Sequence, residues 1–212
     1  MNQELALRAV LVAEVVLLMP LMAYHRLKAH TGERLDRRQE GLFILATLRP
    51  VALVFVVGSA TYLASPARMA WSSVPLPLWL RWSGAGIYAL SWALLFWTLR
   101  GLGTNLTDTV VIRREHTLVT GGPYRFVRHP FYDSIALMVL ATSLIAANWF
   151  LLLSGGLVFV LMAVRTRTEE AKLPARFGDP YRAYLGRTGR FLPRIAGSRV
   201  ADDDRARPDP NG

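Results

Sequence analysis

Residues 131–164 read FYDSIALMVLATSLIAANWFLLLSGGLVFVLMAV, a run of 34 residues with one charged side chain, Asp133. A helix needs ~20 apolar residues to cross a ~30 Å hydrocarbon layer, so this run is too long for one crossing and right for two short ones. At its middle stand Asn148 and Trp149, a polar turn residue and an interfacial aromatic. The stretch therefore reads as a tight helical hairpin. Working back toward the N-terminus, residues 76–99, 41–64 and 5–27 form three more apolar blocks of crossing length. None alternates with the period of two that a half-buried strand would need. The expectation is an all-α integral membrane protein with about five transmembrane helices, the last two paired, and with polar loops holding the site on one side.

Charge orients this scheme. Arg26, Lys28, Arg34, Arg37 and Arg38 fill the first connection. Arg100, Arg113, Arg114, Arg125 and Arg128 fill the third, and Arg165, Arg167 and Lys172 follow the last crossing. The second connection has only Arg68 and Arg81, and the hairpin tip has no basic residue. By the positive-inside rule the N-terminus lies outside and the C-terminus in the cytoplasm, with a bacterial cytoplasmic membrane as the expected location. The segment 5–27 is too long for the apolar part of a signal peptide and lacks a small-residue cleavage site, so it reads as a mature crossing.

The formal charge of +10 does not point to nucleic acid, because the basic residues sit in alternate connections rather than along one stripe. With no cysteine, disulfides, thiolate metal sites and a cysteine nucleophile are excluded. The four histidines, His25, His30, His116 and His129, have no ligand spacing, and no metal is expected. Residues 1–196 read as one membrane-embedded domain, and 197–212, polar and rich in Asp, Arg and Pro, as a disordered tail.

The polar sequence is concentrated in 101–130 and 165–194, two segments on the same side that can meet. The first contains a Gly121-Gly122-Pro123 turn, then Tyr124, Arg125, Arg128 and His129, with Pro130 at the start of the next helix. On residue types alone, such a stretch also serves as an ordinary interfacial anchor. In the second, Arg165 and Glu169 stand four apart on one helical face, followed by Glu170. A solvated ion pair of that spacing contributes only a few tenths of a kcal/mol and decides nothing by itself. Residues 177–184 read as an amphipathic surface helix and 190–194 as a terminal stop at Pro193.

Taken together, the stretch from His116 to Tyr132, the Arg165–Glu170 exit, and the later Phe177-Gly178, Tyr181, Tyr184 and Arg190-Phe191-Leu192-Pro193 resemble the isoprenylcysteine carboxyl methyltransferase family and its phospholipid methyltransferase relatives. The resemblance covers the C-terminal half. It implies S-adenosylmethionine as cofactor, held by His116, Thr117, Leu118, Val119, Tyr124, His129, Pro130, Phe131, Tyr132 and Glu169. It also implies that Arg165 binds and orients the substrate carboxylate. Family members usually have a glycine two residues past the motif tyrosine, where this chain has Ser134.

The implied reaction suits these residue types. A carboxylate is already nucleophilic near neutral pH and a sulfonium methyl is already activated, so positioning is the main task and a strong base is not required. The expected partner is a lipidic methyl acceptor taken from the membrane lipid, since each buried CH₂ contributes ~0.8 kcal/mol. Three alternatives stand beside this reading: a phospholipid or other small lipophilic acceptor, an NADPH-dependent sterol-reductase-like enzyme, and a non-catalytic membrane scaffold. Glu14 and Arg49, inside the first two crossings, must find partners or a cavity, and structural pairing is expected for Glu14.

Overall fold

The computed structural model describes residues 3–28, 42–102 and 118–194 of the 212-residue chain. Six α-helices follow one another: α1 (Gln3–Lys28), α2 (Leu42–Ala64), α3 (Leu78–Leu102), α4 (Pro130–Ala146), α5 (Trp149–Phe177) and α6 (Asp179–Arg187). Among the described residues there is no strand, only two isolated bridges, Ser73 with Asn148 and Val127 with Gly189. Four helices are long and apolar enough to cross a bilayer, over Gln3–His25, Ala46–Ala64, Leu78–Leu102 and Trp149–Phe177. Helix α4 is apolar but has 17 residues, about 26 Å at 1.5 Å per residue, slightly less than the layer it accompanies. The protein is an all-helical, multi-pass membrane protein.

The hairpin forms where the apolar run was expected to fold. Helix α4 ends at Ala146, Ala147 takes a left-handed conformation (φ 48°), and Asn148 caps α5 by accepting from the Leu151 amide at 3.1 Å. The Asn148 amide also donates to Ser72 Oγ at 2.7 Å, tying the hairpin tip to the 3₁₀ segment Pro66–Ser72. Replacing Asn148 by alanine removes the cap and leaves buried groups without partners. The expected loss is about 1–2 kcal/mol, read as a lower melting temperature in detergent, and an unchanged transition would show that the cap is dispensable.

The same end of the bundle is pinned a second time. Arg81, at the start of α3, pairs with Glu4 of α1 at 2.8 Å and donates twice to the carbonyl of Ile145, at 2.9 and 2.8 Å, closing the C-terminus of α4. Tyr62 at the end of α2 donates to Glu4 at 2.7 Å. Below this rim the core gathers Leu7 and Leu11 of α1, Tyr88, Leu95 and Leu99 of α3, Met138, Ala141 and Ile145 of α4, and Leu151 of α5. Helices α3 and α4 share the largest interface. A Cβ at Gly84 would stand 2.9 Å from the Ala141 carbonyl, so the absence of a side chain lets the two backbones close. Glu14 is buried and accepts from the Trp92 indole, the structural pairing expected for it.

With one end so held, the opposite end is where the C-termini of α3 and α5 and the N-terminus of α4 meet the remaining polar chain. Helix α5 spans about 43 Å. Its apolar part stops at Val164, and all of its charged side chains lie in residues 165–177. Gly178 (φ 62°) then reverses the chain into α6.

Candidate functional site

The third connection reaches α4 through a compact turn. Leu118 and Val119 are partly buried ahead of Gly121, and Gly122 adopts φ 60° to open the 3₁₀ turn Gly122–Arg125. Tyr184 of α6 donates to the carbonyl of Tyr124 at 2.7 Å, and both Tyr181 and Tyr184 are buried. Helix α6 thus docks its tyrosine face on this turn.

His129 ends the connection and Pro130, buried, begins α4. Because Tyr132 lies one turn into the helix, its ring stacks on the His129 imidazole, 5.5 Å between centroids and 9° from parallel. Phe131 turns the other way, edge-on to Tyr132 and against the core. From α5, Glu169 receives the Tyr132 hydroxyl at 2.9 Å and Arg165 Nε at 3.0 Å, both on Oε1. Its other oxygen, Oε2, lies 3.9 Å from His129 Nδ1, beyond hydrogen-bond reach. Ser134, buried one turn into α4, turns its hydroxyl back onto the Pro130 carbonyl at 3.0 Å.

The neighbouring carboxylate has a different environment. Glu170 accepts from Arg128 Nε at 2.9 Å, from His129 Nε2 at 3.0 Å and from Arg190 at 2.5 Å. Two guanidinium groups and an imidazole thus converge on this one buried carboxylate. As an ionised carboxylate only accepts, His129 Nε2 must bear the hydrogen of this contact. Side-chain exposure separates the two acids: 9% for Glu170 against 20% for Glu169. Glu170 is saturated and enclosed, whereas Glu169 keeps an oxygen open to a ligand. Among the described residues, Arg128, Arg165 and Arg190 thus gather around Glu169 and Glu170.

Of the residues singled out in the sequence, His129, Tyr132, Arg165 and Glu169 come together directly, Pro130 opens the helix between them, Phe131 faces the core, and Tyr124 is tied to α6 through its carbonyl. Leu118 and Val119 lie on the approach, and His116 and Thr117 fall outside the described residues. Arg128, Glu170, Thr188 and Arg190 were not assigned to the site from the sequence. Glu170 was visible only as the second half of an acidic pair, and nothing in the spacing of 188–190 linked those residues to His129.

A bundle pinned at one end, with an Arg-His-Pro-x-Tyr helix start facing an Arg-x-x-x-Glu-Glu helix exit at the other, defines a multi-pass membrane protein with a polar cluster at one end of its helices. Residues 85–175, from α3 to near the end of α5, match the model of the isoprenylcysteine carboxyl methyltransferase (ICMT) family. A protein-S-isoprenylcysteine O-methyltransferase of Schizosaccharomyces pombe is 34% identical over 96 residues, 44% of this chain and 41% of the relative. A methanethiol S-methyltransferase of Mycobacterium tuberculosis is 32% identical over 142 residues, 58% of this chain and 56% of the relative. The chain thus spans about half the length of the curated relatives it matches. A solved eukaryotic intramembrane Ras methyltransferase, ICMT, aligns with 73% of this chain and 53% of its own at a TM-score of 0.48 and 21% identity.

Proposed function

We propose that the chain is an S-adenosylmethionine-dependent methyltransferase that esterifies the carboxylate of a lipidic, isoprenylcysteine-like acceptor, with its site on the cytoplasmic face. The observation behind this reading is the convergence of Arg165, Glu169, Tyr132 and His129 where the apolar bundle ends, within the span that matches the family. The donor set suits the cofactor: Glu169 Oε2 is available to a ribose hydroxyl or an amino group, and Tyr132 and His129 offer a stacked aromatic wall. S-adenosylmethionine, when bound, supplies a methyl group already activated by its sulfonium.

The chain's own residues then have modest tasks. Arg165 orients the acceptor carboxylate through its planar guanidinium. The carboxylate oxygen so held would be the nucleophile toward the donor's methyl, and because a carboxylate is already ionised no residue would have to remove a proton. Glu169 tempers the positive field of Arg165, so the acceptor is held without the tight ground-state ion pair that would oppose its loss of charge. The apolar bundle brings the lipid tail and the polar rim brings the headgroup.

The methanethiol-methylating relative favours a second reading, a small thiol acceptor. A thiol has to lose its proton, and His129 Nδ1, the nitrogen not committed to Glu170, would be the group to take it. Detergent-purified protein given methyl-labelled donor should label a farnesylcysteine analogue and not methanethiol. Label on methanethiol alone would establish the second reading, and failure to label either acceptor or to bind S-adenosylhomocysteine would overturn both.

A further inference from the structure

The family match stops at residue 175, yet the chain beyond α6 returns to the site. Arg128 and His129 donate their backbone amides to the carbonyls of Gly189 and Arg190, at 2.8 and 3.1 Å, which lays 188–190 alongside 127–129 as a short parallel bridge. The Arg128 guanidinium adds a hydrogen bond to the Thr188 carbonyl. The return is tight enough that a Cβ on Gly189 would stand 1.7 Å from the Leu192 carbonyl oxygen, a clash with backbone that no rotamer relieves. That turn swings Phe191 onto the His129 ring at 5.8 Å, and Phe191 also contacts Phe159, inside the apolar part of α5, at 5.5 Å. Arg190 reaches back to Glu170.

His129 is therefore held from four directions: Tyr132 on one face, Phe191 tilted against it, Glu170 on Nε2, and the Arg190 carbonyl on its backbone amide. Two of the four come from the C-terminal return. The other side of the ring, Nδ1, is left pointing at Glu169. Glu170 is the knot of this arrangement, because it alone joins α5, the residue before α4, and the return.

We propose that residues 188–191 form a strap that completes the donor pocket, and that Glu170 is a positioning residue which clamps Arg190 and Arg128 and so fixes the His129 ring with Nδ1 turned toward Glu169. The strap's part in donor binding rests on the methyltransferase reading above; its hold on His129 does not. Displacing a site group by ~1 Å from a distance can cost up to about a hundredfold. Glu170→Gln, which removes the clamp charge, and Gly189→Ala, which dislodges the turn without touching any charge, should each weaken S-adenosylhomocysteine binding about tenfold to a hundredfold, and Gly189→Ala should leave the KM of the acceptor unchanged. Arg190→Lys keeps the ion pair and should recover most of the affinity lost in Arg190→Ala.

The test pairs a titration of the full chain in detergent with two measurements that need no ligand. One is trypsin cleavage after Arg190 in the native protein. The other is the ring ¹⁵N shifts of His129 in histidine-labelled protein, assigned by comparison with His129→Asn. Both should change in Glu170→Gln and Gly189→Ala, and neither should change in Arg182→Ala, whose exposed pair with Asp179 lies away from the strap. Variants that bind S-adenosylhomocysteine like the wild type, or lose affinity only in step with their melting temperature, would reduce the strap to a structural staple. Wild-type protein that binds no S-adenosylhomocysteine overturns the strap's role in donor binding together with the methyltransferase reading. In that case, unchanged nitrogen shifts in Glu170→Gln would overturn the clamp as well.

Discussion

Replacing Arg165 by alanine is expected to lower kcat/KM for a carboxylate acceptor about tenfold to a hundredfold while S-adenosylhomocysteine binding stays within about threefold of wild type. A hydrogen bond to a charged group contributes about 1.5–3 kcal/mol, and each 1.36 kcal/mol of lost transition-state stabilisation is a factor of ten. The split between the two ligands follows from how Glu169 is held. Arg165 Nε binds its Oε1 at 3.0 Å, but the Tyr132 hydroxyl binds the same oxygen at 2.9 Å, so removing the arginine leaves the donor-side carboxylate in place. It also leaves that carboxylate without its guanidinium partner, and an anionic acceptor then approaches a rim less positive by one charge. Arg165→Lys restores the charge but not the fork, and should fall between alanine and wild type. An alanine variant that still esterifies a carboxylate acceptor at the wild-type rate, or that loses donor binding in equal measure, would remove Arg165 from the acceptor site.

The parts of this site that could be read in advance are those in which chemistry lies close in the chain. The hairpin was legible because 34 nearly uncharged residues cannot form one crossing, and Asn148 falls where a cap is needed. Arg165 and Glu169 were legible as neighbours because residues four apart share a helical face. Their convergence with His129 and Tyr132 was suggested by resemblance and is seen in the fold. Glu170 is different: consecutive helical residues point about 100° apart, so its partners depend on what packs beside α5, and one of them, Arg190, lies twenty residues on. The bridge at Val127 and Gly189 is a single residue pair with no period to detect. For helix α6 the spacing of the tyrosines does not say what they face; the hydroxyl of Tyr184 on the Tyr124 carbonyl sets that face against the protein.

Glu169→Gln separates charge from shape at the other half of the site. The amide is nearly isosteric and its oxygen can still accept from Arg165 and Tyr132, so the fold and the His129–Tyr132 stack should persist. What changes is the balance: three guanidiniums that faced two carboxylates now face one. In a partly dry site, removal of a unit negative charge costs a nearby cation about 1–3 kcal/mol, or roughly tenfold to a hundredfold in Kd. S-adenosylmethionine carries the sulfonium charge and S-adenosylhomocysteine does not. The variant should therefore lose affinity for the first by that factor and for the second by distinctly less, the residue being the hydrogen bond to Glu169 Oε2. For a carboxylate acceptor the sign reverses, since the more positive rim binds it more tightly: its KM should fall while kcat also falls, because the tighter ion pair opposes the charge loss of the reaction. Isothermal titration with both ligands and steady-state kinetics with a farnesylcysteine analogue measure all three quantities. Equal losses for the sulfonium and the thioether would mean that Glu169 acts only as a hydrogen-bond acceptor, and an acceptor KM that rises would place it on the acceptor rather than the donor.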